Sequence, residues 1–341
     1  MLHSGADPIA VLSEVEKEVI ARSVHESNWQ EGLYLDRGRT RELAEAVFES
    51  VGDVSGPHLD MEAVLEHHRK DVVALKRKGA SIEEVAAHNL ARAHVALRWI
   101  GGELMHRQTA SLMHALEGFR KKYPELKAKM SAETQKTIER GFQVMENMKA
   151  SALPIDVPIT EGSETQGALL NKLLAQDFDT LLHPMRPAYV HFLHRITMMG
   201  IAHTGKCGVF RKTPVHVGNP ELYFPPPSLV PKLMEQFCSD FPTILPGTVK
   251  YDPILMAAQA SHKFVRIHPY ADGNGRVSRL LMNLVLWKHH PPVYLKADKK
   301  GRHRYGQALR RADRGNTKPL AGLIGISLVE IYGKLLDAIT P

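Results

Sequence analysis

Residues 268–279 read HPYADGNGRVSR. This stretch holds a side chain that titrates near neutral pH (His268), an oxygen donor for a hard cation (Asp272), a glycine-framed asparagine (Gly273, Asn274, Gly275) and two arginines (Arg276, Arg279). A Gly-Asn-Gly turn leaves backbone N–H groups uncovered, and a helix starting immediately after it points the positive end of its dipole at the same place. The spacing therefore predicts an anion site. Asp272 can hold Mg²⁺ through oxygen, the arginines can neutralise further phosphate charge, and His268 can take or give a proton. That combination suits nucleotide chemistry.

The flanking pattern says what positions these groups. Ile254 to Ile267 reads as a buried helix running into His268, and Pro269 prevents its smooth continuation. After the turn, Val277, Leu280, Leu281, Leu284 and Val285 fall on one helical face, leaving Arg276 and Arg279 off that face in the first turn. The motif thus sits on a helix, tight loop, helix unit. Upstream, VFRKTPVHVGNPELYFPPP is the one convincing strand region: Val215 and Val217 alternate around His216, and Gly218-Asn219-Pro220 supplies a turn, so a short hairpin is expected. Pro225 to Pro227 then forbid helix until Ser228, an N-cap for the run Val230, Leu233, Met234, Phe237. Helical patterns at Ala168 to Leu182 and Arg186 to Met199 precede this region.

The first 150 residues show helical periodicity, with Leu43, Ala46, Val47 and Val51 on one face and a capping box at Ser81 to Glu84. The segment SALPIDVPITEGSET, 151–165, reads as a linker. The expected fold is all-α with one short β-hairpin, arranged as a helical region 1–150, a linker 151–165 and a core 166–341. At 341 residues, with 43% hydrophobic and 24% charged residues, the chain can bury a large core, and disorder is not expected.

Several function classes are disfavoured. Cys207 and Cys238 are too few for a disulfide framework and lack metal spacing, which suits a reducing compartment. No apolar run approaches the roughly 20 residues of a membrane span, and Met1 to Val19 lacks a basic segment followed by an apolar one, so a cytoplasmic protein is expected; export without a cleavable signal would look the same. The net charge of +7 could serve nucleic acid, but the basic stretches at 67–70, 76–78, 299–304 and 310–311 lie apart and lack interleaved aromatics, so they read as solvated helix faces. The pairs His67-His68 and His289-His290 read as solvated or capping histidines, because adjacent helical residues point in different directions. Gly200 to Cys207 imitates a P-loop but has Cys207 in place of the hydroxyl residue. Met105, Met113, Met145 and Met148 are expected in a helical core.

The pattern HxFx(D/E)GNGRxxR characterises Fic-domain proteins, and His268, Asp272, Gly273, Asn274, Gly275, Arg276 and Arg279 all match it. Tyr270 stands where that family usually has Phe, so its hydroxyl needs a partner. The segment GKCGVFRKTPVHVGN resembles the family's flap hairpin, and ALRRADRGN at 308–316 resembles the helix that closes the nucleotide pocket; the likeness covers about residues 176–325. The resemblance implies transfer of AMP from ATP to a Ser, Thr or Tyr hydroxyl of a target protein. His268 would be the general base and Asp272 the Mg²⁺ ligand. Gly273, Asn274 and Gly275 would cradle the α-phosphate, Arg276 and Arg279 would hold the β- and γ-phosphates, and Val217, Gly218 and Asp313 would contact ATP. Lys212, Thr213, Pro214, Val215 and His216 of the flap would dock the target by strand addition. Ser27-Asn28-Trp29-Gln30-Glu31-Gly32 also fits the family's inhibitory-helix pattern, with a helix at about 20–33. That implies autoinhibition in which Glu31 sits against Arg279, with Ser27 on the same helix face, and Trp29 reads as a packing residue. Removal of AMP, transfer of UMP, phosphocholine or phosphate, self-modification, a homodimer and a non-enzymatic helical interaction module remain open.

Overall fold

The computed structural model describes residues 8–51, 60–128, 185–216, 223–241, 252–287 and 289–339, with scattered positions between 132 and 143. Its helices are α1 (Pro8–Gln30), α2 (Arg37–Val51), α3 (Met61–Arg77), α4 (Ile82–Lys127), α5 (Pro187–Met198), α6 (Val230–Ser239), α7 (Pro253–Ile267), α8 (Asn274–Leu286), α9 (Lys299–Ala312) and α10 (Lys318–Ile339). Short 3₁₀ turns lie at Thr204–Lys206 and Pro227–Leu229. The expected mainly helical fold is what forms. No strand occurs among the described residues; 212–216 is irregular, and Val217 and Gly218 with the rest of the expected hairpin lie outside them, as do the linker 151–165 and the helical pattern 168–182.

Two compact units make up the chain. The first comprises Met1–Gly102, Met185–Pro242 and Tyr251–Pro341. The second comprises Glu103–Pro184 and Thr243–Lys250. In the second, Lys127 pairs with Glu139 at 2.8 Å, and Tyr123 meets Phe142 edge-on.

Helix starts follow side chains that satisfy otherwise unpartnered N–H groups. Asp60 accepts from Ala63 N, and Asp252 accepts from Ile254 N and Leu255 N. The capping box of α4 forms as read: Ser81 N donates to Glu84 at 2.9 Å, and Glu84 N donates to Ser81 Oγ at 3.2 Å. The expected Ser228 cap does not form. Ser228 lies inside the 3₁₀ turn, Leu229 occupies the cap position of α6 without a side-chain bond, and a proline in the first turn supplies the preset φ and needs no N–H partner.

Helix α8 is the axis of the core. Apart from Gly275, every residue from Asn274 to Leu286 is buried, and α7 packs along it through Phe264 and Ile267. Residues 85–97 of α4 are buried on all sides, where five alanines permit close approach of neighbouring helices. In α10, Leu320, Ile324, Leu328 and Ile331 form the buried face, while Ile326, Val329, Tyr332 and Leu336 are exposed. Over Lys318–Asp337 its mean hydropathy is 1.5, so by length and composition it could cross a membrane, contrary to the sequence expectation. A helix with one face in a protein core reaches the same value.

A buried polar knot joins α3, α4 and α5. His68 is fully buried, stacks on His88 with ring centroids 5.3 Å apart, and contacts the Ile196 carbonyl at 3.2 Å. Asn89 donates to the carbonyls of Thr197 and Met199, and Arg92 pairs with Asp71 at 2.7 Å. His68 is therefore not a solvated histidine as its neighbour suggested; His67 is the exposed one. Asp71, His68 and His88 place three potential metal-ligand atoms within 4.8 Å of one another, but the Arg92 guanidinium already supplies the positive charge beside that carboxylate.

Burial pushes His68 and His94 down to about 3 and His88 down to about 4. These rings stay neutral in the fold yet charge in the unfolded chain below its ordinary value of about 6.5. Stability is therefore full above that value and falls as pH drops toward the folded values, by about 1.4 kcal/mol per pH unit per histidine. The thermal midpoint should decline steadily from pH 6.5 to 4, and His88→Gln should make the decline shallower; a slope unchanged by the substitution would contradict this account.

Candidate functional site

The C-terminus of α7 delivers His268 in a left-handed conformation, φ 50°, ψ 58°. A non-glycine residue there is strained by about 1–3 kcal/mol and persists only where its surroundings dictate it. Arg211 does so. Its buried guanidinium donates to the carbonyls of His268 (2.7 Å), Thr213 (3.3 Å) and Pro225 (2.5 Å), while its own N–H donates to the Pro269 carbonyl at 2.9 Å. One side chain thus ties the stem of the expected flap and the proline stretch to the backbone of the candidate base. The Phe224 ring covers the imidazole, 4.2 Å between centroids.

His268 Nδ1 lies 3.1 Å from the Val265 carbonyl. A carbonyl only accepts, so Nδ1 carries the proton and Nε2 keeps its lone pair. Burial, opposed by that hydrogen bond and aided by the positive charge of Arg211, holds the imidazole below its usual range. The ring is neutral at pH 7 and able to accept a proton.

The loop after it is built to be rigid. The Asn274 side chain accepts from Tyr270 N at 2.9 Å and donates to the Tyr270 carbonyl at 2.8 Å. Asn274 therefore holds the loop closed with its amide, and what it offers an anion is its backbone N–H. Tyr270 is fully buried, and its hydroxyl finds the required partner in His191 Nδ1 at 3.1 Å. His194 stacks on the Tyr270 ring at 3.7 Å, accepts from Gly208 N on Nδ1 (2.7 Å) and donates from Nε2 to the Asp272 carbonyl (2.9 Å). Burial lowers it to about 4, in keeping with that neutral tautomer. Gly273 adopts φ 78°, and a Cβ there would meet the Met198 sulfur at 2.6 Å, so glycine is required.

Around this loop lies a cavity of about 290 Å³, lined by His268, Ala271 to Gly275, Val215, His216 and Glu31. Asp272 offers an exposed carboxylate oxygen at its mouth, fit for a hard cation. Arg276 is buried, keeps Nη2 3.8 Å from Asp272, and has no partner for Nε or Nη1. A buried guanidinium with orphaned donors beside a helix N-terminus fits a phosphate.

Arg279 is different: among the described residues its hydrogen bonds run to α1 and the residue after it. It donates to Ser27 Oγ (2.8 Å), the Ser27 carbonyl (2.9 Å) and Glu31 Oε1 (2.6 Å). Glu31 lies just past the end of α1, where Gly32 takes φ 79° and Leu33 N donates to the Asn28 carbonyl. Trp29 fixes this turn by donating to the Leu35 carbonyl and packing edge-on to Tyr34, a packing role as read. The Glu31 carboxylate rests on Gly275, where an added Cβ would lie 2.2 Å from Oε1. The anion at the N-terminus of α8 is therefore one of the chain's own.

The structure brings together His268, the 272–276 loop, Arg279, Ser27, Glu31, Val215 and His216. Lys212, Thr213 and Pro214 are exposed on the stem beyond the cavity lining, and Asp313 is held by His262 (2.8 Å) and Arg266 (3.3 Å), apart from that lining. Sequence reasoning missed Arg211 and His194. The flap resemblance contained the arginine, but nothing local showed that its partners lie at 225 and 268.

Comparison with known proteins agrees with this geometry. The Fic/DOC family model matches residues 184–286. A protein adenylyltransferase Fic from Aedes aegypti is 39% identical over 119 residues, covering 34% of this chain and 22% of that protein. One from Nematostella vectensis is 38% identical over 133 residues, covering 37% and 28%. The chain thus spans less than a third of the curated relatives it matches. A Fic-domain-containing signaling protein from Bacteroides thetaiotaomicron shares the fold, with TM-score 0.54 and 16% identity over 96% of this chain and 90% of that one. The motif, the loop geometry and the match to the Fic/DOC family model thus fall in the same stretch, residues 184–286.

Proposed function

We propose that the protein is an adenylyltransferase that moves AMP from ATP to a hydroxyl of a target protein and is held back by Glu31. The observation that carries this reading is the Glu31 carboxylate lying on Gly275 and bonded to Arg279, at the helix N-terminus where a polyphosphate would bind. The target hydroxyl oxygen attacks the α-phosphorus, the bond to the β-phosphate oxygen breaks, diphosphate leaves, and the hydroxyl proton passes to His268 Nε2. Gly273 N–H is engaged by Asp272 Oδ1 at 2.6 Å, so the backbone N–H groups of Asn274 and Gly275 and the orphaned donors of Arg276 would serve the charge that develops. Asp272 would hold Mg²⁺, which neutralises polyphosphate charge when bound. Val215 and His216 line the mouth through which the hydroxyl enters, consistent with a docking role for the stem. Two free cysteines suit a reducing compartment such as the cytoplasm.

With Arg279 committed to Ser27 and Glu31, a γ-phosphate lacks one of its two arginines. Removing the carboxylate frees it. A charge-assisted hydrogen bond is worth about 1.5–3 kcal/mol, or roughly 10- to 100-fold in binding. Glu31→Gly should therefore tighten ATP binding by about that factor in calorimetry and raise self-labelling from ATP carrying the label on the α-phosphate; an unchanged affinity would remove Glu31 from this role.

His268→Ala should abolish labelling in the Glu31→Gly protein. The acid limb of its rate profile should lie below the ordinary histidine value, because burial lowers His268; a limb above about 6.5 would contradict the assigned base.

Arg211→Lys keeps the charge but cannot reach three carbonyls at once. It should lower the rate of transfer about tenfold or more while leaving ATP affinity within about twofold, since the fork positions His268 and does not touch the phosphate groups. Equal losses in both would mean that Arg211 serves only stability.

A further inference from the structure

Helix α9 carries an unusual charge distribution. Tyr305, Ala308 and Ala312 form its buried face, whereas Lys299, Lys300, Arg302, His303, Arg304, Arg310, Arg311 and the following Arg314 are all exposed. At 100° per residue the cations fall in two adjacent rows, Lys300, Arg304, Arg311 and Lys299, His303, Arg310, Arg314, along a helix roughly 20 Å long.

None of the seven lysines and arginines forms an ion pair among the described residues. The nearby carboxylates are engaged elsewhere: Asp298 caps Gly301, Asp313 holds His262 and Arg266, and Glu330 holds Lys296. Exposed cations on other helices do pair, as Arg39 does with Glu42 and Glu84, and Arg41 with Glu45. Like charges at i, i+4 repel, so this arrangement costs stability unless a partner neutralises it.

Both ends of α9 are tied to the catalytic elements. Arg302 donates to the Tyr34 hydroxyl, three residues past Glu31, and Asp313 holds Arg266, two residues before His268. These contacts join α9 to the segments that carry Glu31 and His268. We propose that the cationic face of α9 is a docking surface for an acidic patch on the target protein, so that charge complementarity selects the substrate class and speeds its encounter. This rests on the adenylyltransferase reading for the identity of the partner. Protein is favoured over nucleic acid because no aromatic residue interrupts the cationic rows to stack a base.

The test compares Lys300→Glu, Arg304→Glu, Arg311→Glu combined with an equal reversal on α3, Lys70→Glu, Arg77→Glu, Lys78→Glu, both in the full-length Glu31→Gly protein. The probe is a fluorescein-labelled oligo-glutamate peptide followed by anisotropy, with an oligothymidylate of matching charge as competitor, and self-labelling is measured in parallel. The α9 variant should bind the peptide about tenfold or more weakly, the α3 variant within about twofold of the parent, with self-labelling retained in both. Equal binding by the α9 variant and the parent, or an equal loss in the α3 variant, overturns the proposal. Tighter binding of oligothymidylate than of peptide, lost in the α9 variant, also overturns it and assigns the face to nucleic acid. Absence of self-labelling in the unreversed Glu31→Gly protein would count against the adenylyltransferase reading, whereas the binding comparison decides the surface.

Discussion

A guanidinium buried away from water needs partners for its donors, and Arg279 finds them at the end of the first helix. That requirement couples parts of the chain some 250 positions apart. Ser27 accepts through its hydroxyl and its carbonyl, Glu31 adds a carboxylate, and α1 is held against the 293–297 segment by Ser23 to the Val293 carbonyl and by Glu26 accepting from Ala297 N. Arg276, one turn earlier on α8, has no such relief and keeps two orphaned donors. The pair shows two states of the same problem, one buried cation answered from within the protein and one left for an external anion.

The rigidity of the loop follows from the same logic. An anion site made of backbone N–H groups works only if the loop does not relax to satisfy those groups itself. Here the Asn274 amide, the stacked Tyr270 and His194 rings and the Arg211 fork hold the backbone from three sides. His268 is kept in its strained conformation by these contacts, not by its own preference.

Much of this was legible in the chain because it is local. The motif at 268–279 is contiguous, so turn, dipole and charges can be read together, and the six-residue pattern ending in Gly32 contains both Ser27 and Glu31. Tyr270 announced the need for a partner without saying which. What escaped reading is long-range. His68 is buried because α4 and α5 converge on it, a fact absent from its neighbours, and Ser228 lost its cap because Pro231 let the helix start later. The basic residues of α9 read as solvated charge in sequence; only their lack of carboxylate partners among the described residues, and the ties of α9 to the segments of His268 and Glu31, make them unusual.

How Glu31 could leave Arg279 is constrained by where the fixed contacts lie. The body of α1 is buried through Val19, Ile20, Ala21 and Val24, and dislodging it would expose a sizeable apolar surface at about 25 cal/mol per Å². The final turn is held by far less: the backbone bonds from Glu31 and Leu33 to Asn28, the Trp29 indole on Leu35, and Gln30 on the Lys296 carbonyl. Gly32 already sits in a left-handed conformation open to rearrangement, and a Cβ there would meet nothing within 4 Å. The cheaper motion is therefore a local opening of residues 29–35 with α1 staying docked. Tyr34 belongs to that segment and bonds Arg302 on α9, so opening it also breaks a contact to α9.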